Sequence, residues 1–276
     1  MVSVGRVNVL EVGRSCDFGL LLDGGELGEI LMPKRYVSKA LKPGDKVEVF
    51  IMLDSEDRLT ATTERPVAMA GECAYLRVVS TTPIGAFLEW GMPKDMFVPF
   101  REQKITMRTG SSYLVRIYYD LASGRLAASS KLDKFLDKTK ADYEPGDKVN
   151  VIIHRKTDLG YTAIINHEHS GIIFHNEVFQ SLQQGQQLEV FIKQVRPDGK
   201  IDLCLHKPGY EKVTSLTDVI LNHLKEQGGF MAVTDKNSPE EIYTLFGVSK
   251  KTYKKAIGAL YKQRLVAFEN GGTKLI

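Results

Sequence analysis

The sequence predicts a mostly β chain in which one small barrel-like module occurs three times before a smaller α+β end. Three observations carry this reading. Glycines recur in matched sets: Gly5, Gly71 and Gly146; Gly19, Gly85 and Gly160; Gly44, Gly110 and Gly185. Each set is spaced 66 and then 75 residues apart. After each third glycine comes the same alternation, Val47, Val49, Ile51, then Tyr113, Val115, Ile117, then Leu188, Val190, Ile192. A period of two marks a half-buried strand, and self-similarity at a fixed pitch marks a repeated structural unit.

The elements follow in order. In the first copy Val7 and Val9 alternate as strand one, and Cys16 to Asp23 reads as strand two. Gly28 to Tyr36 is strand three with its exit, Leu41 to Met52 leads into strand four, and Arg58 to Thr62 is strand five. The second copy repeats this with Ile84–Trp90, Asp95–Glu102, Ser112–Asp120 and Arg125–Ser129. The third does so with Leu159–Ile165, Ser170–Val178, Gln186–Val195 and Lys200–Leu205. Five strands in so short a stretch predict a partly closed barrel of the OB type, because a β-sandwich needs about seven strands and ~100 residues.

Beyond the third copy, Leu216, Val219, Ile220 and Leu224 recur at helical spacing. Ser238, Pro239 and Glu241 form a capping box that starts a short helix to Phe246, which Gly247 ends. Ser249 caps a third helix running to about Arg264. Asn270–Gly272 then supplies a hairpin turn between two final strands. Three helices and a two-stranded wing make a winged helix, a relative of the helix-turn-helix. The expected domains are OB-type modules at 1–65, 66–132 and 143–208 and a winged helix at 211–276.

Composition sets the frame. With 37 basic and 34 acidic residues the net charge is only +3, too small for indiscriminate polyanion binding. From Glu211 to the end there are 10 Lys or Arg and 7 Asp or Glu, so the surplus lies in the last quarter. No apolar run reaches the ~18–20 residues that cross a bilayer, and the N-terminus alternates like a strand without a signal-peptide pattern. Cys16, Cys73 and Cys204 are three in number and far apart, which predicts reduced thiols and a cytoplasmic location. His167 and His169 flank Glu168, but two histidines without convergent partners read as a polar turn, so no metal and no cofactor is expected. Motifs for a zinc protease, a P-loop or a nucleophile elbow are absent, and no catalytic residue is expected.

The residues of each copy resemble the RNA-binding repeat of ribosomal protein S-one. Phe18–Leu21 and Ile84–Phe87 are similar to its second strand, and Gly171–Glu177 to its third. Asp54 with Arg58, Asp120 with Arg125 and Asp198 with Lys200 are similar to its closing loop. Leu21 and Thr162 replace an aromatic, and Lys200 replaces an arginine. Gly228 to Val266 closely resembles the winged-helix end of proteins of the conserved virulence factor B type, which carry three such repeats before it. The resemblance covers the whole chain in domain order and implies an RNA-binding regulatory protein.

Single strands are bound by stacking bases on exposed aromatics with basic side chains near the phosphates. On the family pattern, Phe18 and Phe87 are second-strand stacking residues and Phe174 is its third-strand counterpart. Arg58, Arg125 and Lys200 are the flanking basic contacts, and Tyr161 is a substitute in copy three, one residue out of register. Phe50 and Phe191 are either exposed or packed between modules, while Trp90, Phe97 and Phe100 read as packing. On the third helix Tyr253, Ala256, Ile257 and Leu260 share an apolar face, and Lys251, Lys254, Lys255 and Lys262 share the opposite one. That basic face suits duplex nucleic acid or an acidic protein.

The expected function is a non-enzymatic protein that binds single-stranded RNA and acts in post-transcriptional regulation. Two other classes stay open: a transcription regulator reading duplex DNA through the winged helix, and a scaffold docking on ribosome or RNA-decay machinery. No membrane partner is expected.

Overall fold

The computed structural model describes residues 2–37, 41–54, 56–175, 178, 181–205, 213–269 and 271–276. The first module comprises β1 (Val7–Cys16), β2 (Gly19–Asp23), β3 (Glu29–Pro33), β4 (Lys46–Leu53) and β5 (Leu59–Thr62). They close as β1-β2-β3-β5-β4, with Leu31 and Thr60 in parallel register across the β3–β5 seam. Alternation explains the closure, since Leu20, Leu22, Ile30, Met32, Val49, Ile51 and Ala61 all turn inward into one core.

The second module comprises β6 (Cys73–Thr82), β7 (Gly85–Leu88), β8 (Met96–Pro99), β9 (Ser112–Asp120) and β10 (Arg125–Ser129). The third comprises β11 (Lys148–Lys156), β12 (Gly160–Ile165), β13 (His169–Phe174), β14 (Gln187–Val195) and β15 (Ile201–Cys204). The third closes like the first, through parallel pairs Gly171 with Ile201 and Ile173 with Leu203. The second does not. Its sheet runs β10-β9-β6-β7-β8, with β8 and β10 left as its two outer strands.

The recurring second glycine has a steric cause. A Cβ on Gly19 would lie 2.0 Å from the Met32 carbonyl oxygen; on Gly85, 2.4 Å from that of Val98; on Gly160, 2.1 Å from that of Ile173. The hairpin can be this tight only without a side chain there.

Strand two begins later than the sequence suggests. Cys16 ends β1, and Asp17 and Phe18 form the turn before Gly19. Phe18 therefore stands on a turn, and its counterparts at the repeat pitch are Ile84 and Leu159. Phe87 instead corresponds to Leu21 and Thr162. The two aromatics read as equivalent occupy different positions.

The α+β end holds α1 (Val213–Glu226), β16 (Phe230–Met231), α2 (Pro239–Phe246), α3 (Lys250–Lys262), β17 (Val266–Glu269) and β18 (Gly272–Leu275). The capping box forms: the Ser238 hydroxyl accepts from the Glu241 N–H at 3.2 Å, and the Glu241 carboxylate accepts from the Ser238 N–H at 3.0 Å. Gly247 ends α2 at φ 64°, the left-handed conformation that favours glycine. Leu216, Ile220, Leu224, Ile242, Tyr253, Ala256, Ile257, Leu260 and Val266 form its core. The wing is three-stranded, β16-β18-β17, because Phe230 and Met231 add to its edge. Asn270, the expected module boundary at 208–211, and Asn176 and Glu177 of the third copy lie outside the described residues.

The chain divides into two compact units. One is Met1–Thr139 with Ile164–His169 and Gln184–Gln187; the other is Lys140–Ala163, Ser170–Gln183 and Leu188–Ile276. Within the first unit, modules one and two share a core. Phe50 and Met52 of β4 pack into the second-module cluster around Trp90, Leu88, Val115 and Ile117. Gly5 marks the closeness of this seam: at φ 77°, its added Cβ would meet Leu126 at 2.5 Å and Ala70 at 2.9 Å.

Candidate nucleic-acid interface

The outward side of the second module is built by β7, β8 and β10. On β7 the period of two sends Ala86 and Leu88 into the core and leaves Phe87 half-buried on the other face. Phe97 lies directly opposite on β8, ring centroids 5.1 Å apart and planes tilted by 38°. Phe100 follows at 47% exposure. These rings line a cavity of about 610 Å³, together with Ile84, Met96 and Pro99, Leu126 of β10, and Met52 and Leu53 from the first module. Both outer strands of the second sheet contribute to its wall, and they lie side by side there without a hydrogen-bonded ladder. Reading Phe97 and Phe100 as packing is thus corrected. The pleat puts Phe97 on the outer face, and Phe100 sits in the turn beyond β8. Trp90 is buried as expected, meeting Phe50 edge-on at 6.0 Å.

Basic side chains surround this cavity. Arg125, Arg101 and Lys94 line it with Asp95 and Asp120. Arg125 is ion-paired with Asp57 of the first module. Arg101 stands 3.9 Å from Asp120. A hydrogen bond from Ser123 is the main reason the Asp120 carboxyl titrates below its ordinary value, with smaller help from the Ala122 N–H and Arg101.

The first and third modules look different at equivalent points. In the first, Leu21 faces Leu31 where the second has two phenylalanines. Phe18 is 75% exposed at the β1–β2 turn, and its counterparts Ile84 and Leu159 are each 66% exposed. Arg58 folds back on its own turn, donating to Asp54 at 2.9 and 3.0 Å and pairing with Glu56 at 2.7 Å. Burial alone would raise Asp54. The Arg58 and Glu56 bonds outweigh it and hold this carboxyl low.

In the third module, Lys200 pairs with Asp198 at 3.0 Å. Phe174 is half-buried beneath the Arg196 guanidinium, 5.5 Å from the ring centroid. Arg196 is itself anchored on the buried Asp202 at 2.7 Å. Tyr161 is only 5% exposed and meets the His175 ring edge-on at 5.8 Å. Its expected role as a substitute stacking residue is corrected: one residue out of register on a strand is the opposite face, here the core. Phe50 is fully buried between modules one and two, and Phe191 is half-buried.

The histidine pair is not a solvated turn. The His167 Nδ1 accepts from the Cys73 N–H at 3.0 Å, and His169 is buried with its Nε2 3.1 Å from the Thr139 carbonyl. Burial is the leading cause of a depressed His167 pKa. Among the described residues no group of three or more His, Cys, Asp or Glu is placed to hold a metal ion. No helix among them is long and apolar enough to cross a membrane.

On α3 the apolar face is buried as its spacing predicts, with Tyr253, Ala256, Ile257 and Leu260 inside and Lys251, Lys254, Lys255 and Lys262 outside. Lys254 reaches Asp235 at 3.4 Å. Beside these lysines, Tyr261 and Phe268 stack with centroids 5.3 Å apart.

Five-stranded barrel modules with an aromatic and basic outer surface, ending in a winged helix, define a multidomain protein built of nucleic-acid-binding domain types. A family model described as S1 domain matches residues 4–64, and one described as CvfB-like winged helix domain matches residues 218–275. These are nucleic-acid-binding families, not enzyme families. Along nearly its whole length the chain is similar to proteins named Conserved virulence factor B. It is 23% identical over 277 residues to Conserved virulence factor B of Staphylococcus epidermidis (strain ATCC 12228), covering 97% of this chain and 93% of that protein. It is also 26% identical over 278 residues to the protein YitL of Bacillus subtilis, covering 98% and 92%. A crystal structure of a multidomain protein with nucleic acid binding domains from Streptococcus pneumoniae aligns over 99% of this chain and 98% of that one, at 23% identity and a TM-score of 0.41.

Proposed function

We propose that this protein binds single-stranded RNA on the outer faces of its barrel modules and acts, without catalysis, on the expression of bound transcripts. The observation that carries this is the second module: three phenylalanines and three basic side chains converge on one cavity. Rings offer stacking surfaces to any base, and guanidinium and ammonium groups offer contacts to phosphate. In this reading Phe87 and Arg125 are the principal contacts, with Phe97 and Phe100 beside them. Phe18, Arg58, Phe174 and Lys200 supply lesser contacts on the flanking modules, so that one strand meets several weak sites in series. The winged helix adds an electrostatic surface through Lys251, Lys254, Lys255 and Lys262.

Filter binding with single-stranded RNA, single-stranded DNA and duplex DNA of matched sequence tests the proposal. Preference for single-stranded RNA is expected. Selective capture of one duplex sequence points instead to a transcription regulator. Binding to none of the three, with capture of ribosomes or decay complexes that survives RNase, points to a scaffold.

A further inference from the structure

In the first module Arg58 is held by acids of its own turn, and in the third Lys200 is held by Asp198 of its own turn. In the second module the holding acid comes from a different module. Asp57, on the β4–β5 turn of the first, pairs with Arg125, and Lys94 stands 4.0 Å from the same carboxylate. Lys94 also donates to the Asp54 carbonyl at 3.3 Å.

The turn aims this carboxylate. Asp57 sits at φ 60°, and its N–H donates to the Asp54 carbonyl at 3.2 Å. The Asp54 side chain in turn accepts from the Glu56 and Arg58 N–H groups at 2.8 and 3.0 Å. Lys94 is aimed as well, because the Trp90 Nε1–H donates to its carbonyl at 2.6 Å. One anionic group therefore bridges two cations that line the aromatic cavity, which is how a nucleic-acid phosphate would be held.

We infer that Asp57 is a built-in phosphate mimic: it occupies Arg125 and Lys94 until a single strand displaces it, which makes Lys94 a phosphate contact and Asp57 a competing residue that restrains binding. The inference rests on the proposal that the barrel faces bind single-stranded RNA. Arg125, Asp57 and Lys94 are all substantially exposed. Exposed pairs of this kind are weak, so a phosphate chain with stacked bases can displace the acid.

The test is Asp57→Asn in the full chain. Asparagine keeps the shape and tolerates the left-handed backbone. Trp90, the one tryptophan, lies at the module junction, so its emission reports whether the junction stays packed. Anisotropy of a labelled oligouridylate is followed at several salt concentrations. The variant is expected to bind about three- to fivefold tighter at low salt, the scale of one weak exposed pair. Its slope of log affinity against log salt should stay near the wild-type value, because a strand that displaces Asp57 engages the same two cations in both proteins. In an Arg125→Gln/Lys94→Gln background the same substitution should leave affinity unchanged.

Wild-type binding with an unchanged affinity in the variant overturns the inference and leaves RNA binding standing. Weaker binding at unchanged Trp90 emission also overturns it, by making Asp57 part of the binding surface. Binding by neither protein overturns both readings. If the substitution alters Trp90 emission, Lys94→Gln decides. A shallower slope by about 0.7 supports the inference, and an unchanged slope removes Lys94 from it.

Discussion

Phe87 and Phe97 face one another across the β7–β8 ladder, 5.1 Å between centroids, on the side of the sheet away from the core. At the same two places the first module carries Leu21 and Leu31. A leucine pair covers a sheet as well as two rings do. It gives a nucleobase no π-face, so under the proposed function the second module offers the better stacking surface of the two.

Phe87→Ala and Phe97→Ala should each weaken binding of single-stranded RNA by ~1–3 kcal/mol for every base that stacks there. Leu21→Ala and Leu31→Ala should have a much smaller effect. Titration of one oligonucleotide against all four variants, with circular dichroism to verify folding, checks the contrast.

Phe50 of the first module packs against Trp90 of the second inside a shared core. Removing either ring leaves a cavity in both modules at once. Phe50→Ala and Trp90→Ala should each cost about 3–5 kcal/mol. Because the core is shared, modules one and two should unfold in a single transition, which urea titration with fluorescence and circular dichroism will test.

Glu102 is buried near the turn after β8, where burial alone would raise its pKa. Its bonds from Lys134 and Ser129 outweigh this and hold it below its ordinary value. A carboxyl that is depressed in the folded state contributes stability above its unfolded pKa of ~4.3 and loses it as pH falls through the folded value. Glu102→Gln should therefore lower the urea midpoint at neutral pH and narrow its gap to wild type below pH ~4. An equal gap at both pH values would show that the ion pair contributes nothing.

Replacing Lys251, Lys254, Lys255 and Lys262 by Gln should leave base preference intact, weaken binding uniformly and flatten the salt dependence. Lysine is a point charge without the planar fork that reads a base edge. Loss of selectivity for one duplex sequence would instead assign base reading to α3.

Much of this architecture was legible in the sequence because it rests on local rules. A strand shows its period, a helix its caps, and a tight hairpin the glycine without which the next strand's carbonyl would collide. Gly19, Gly85 and Gly160 mark the repeat for that reason, and Ser238 with Glu241 marks a helix start. The apolar face of α3 emerged correctly from spacing alone. The site was less legible. Tyr161 fails as a stacking residue because a shift of one along a strand exchanges the two faces of the sheet, and motif likeness does not register that shift. Phe97 and Phe100 read as packing because an aromatic in a small barrel ordinarily is; the alternation of Met96, Phe97 and Val98 is the signal that turns Phe97 outward.

What the sequence by itself determined is the module, its threefold recurrence and the winged end, since each depends on residues close together along the chain. Only the tertiary structure decided that β8 and β10 adjoin without a ladder, that Phe50 belongs to its neighbour's core, and that Asp57 holds Arg125. Each of these joins side chains from strands or modules distant in sequence. Seam pairing, shared burial and charge pairing depend on distances in space, and no periodicity along the chain encodes them.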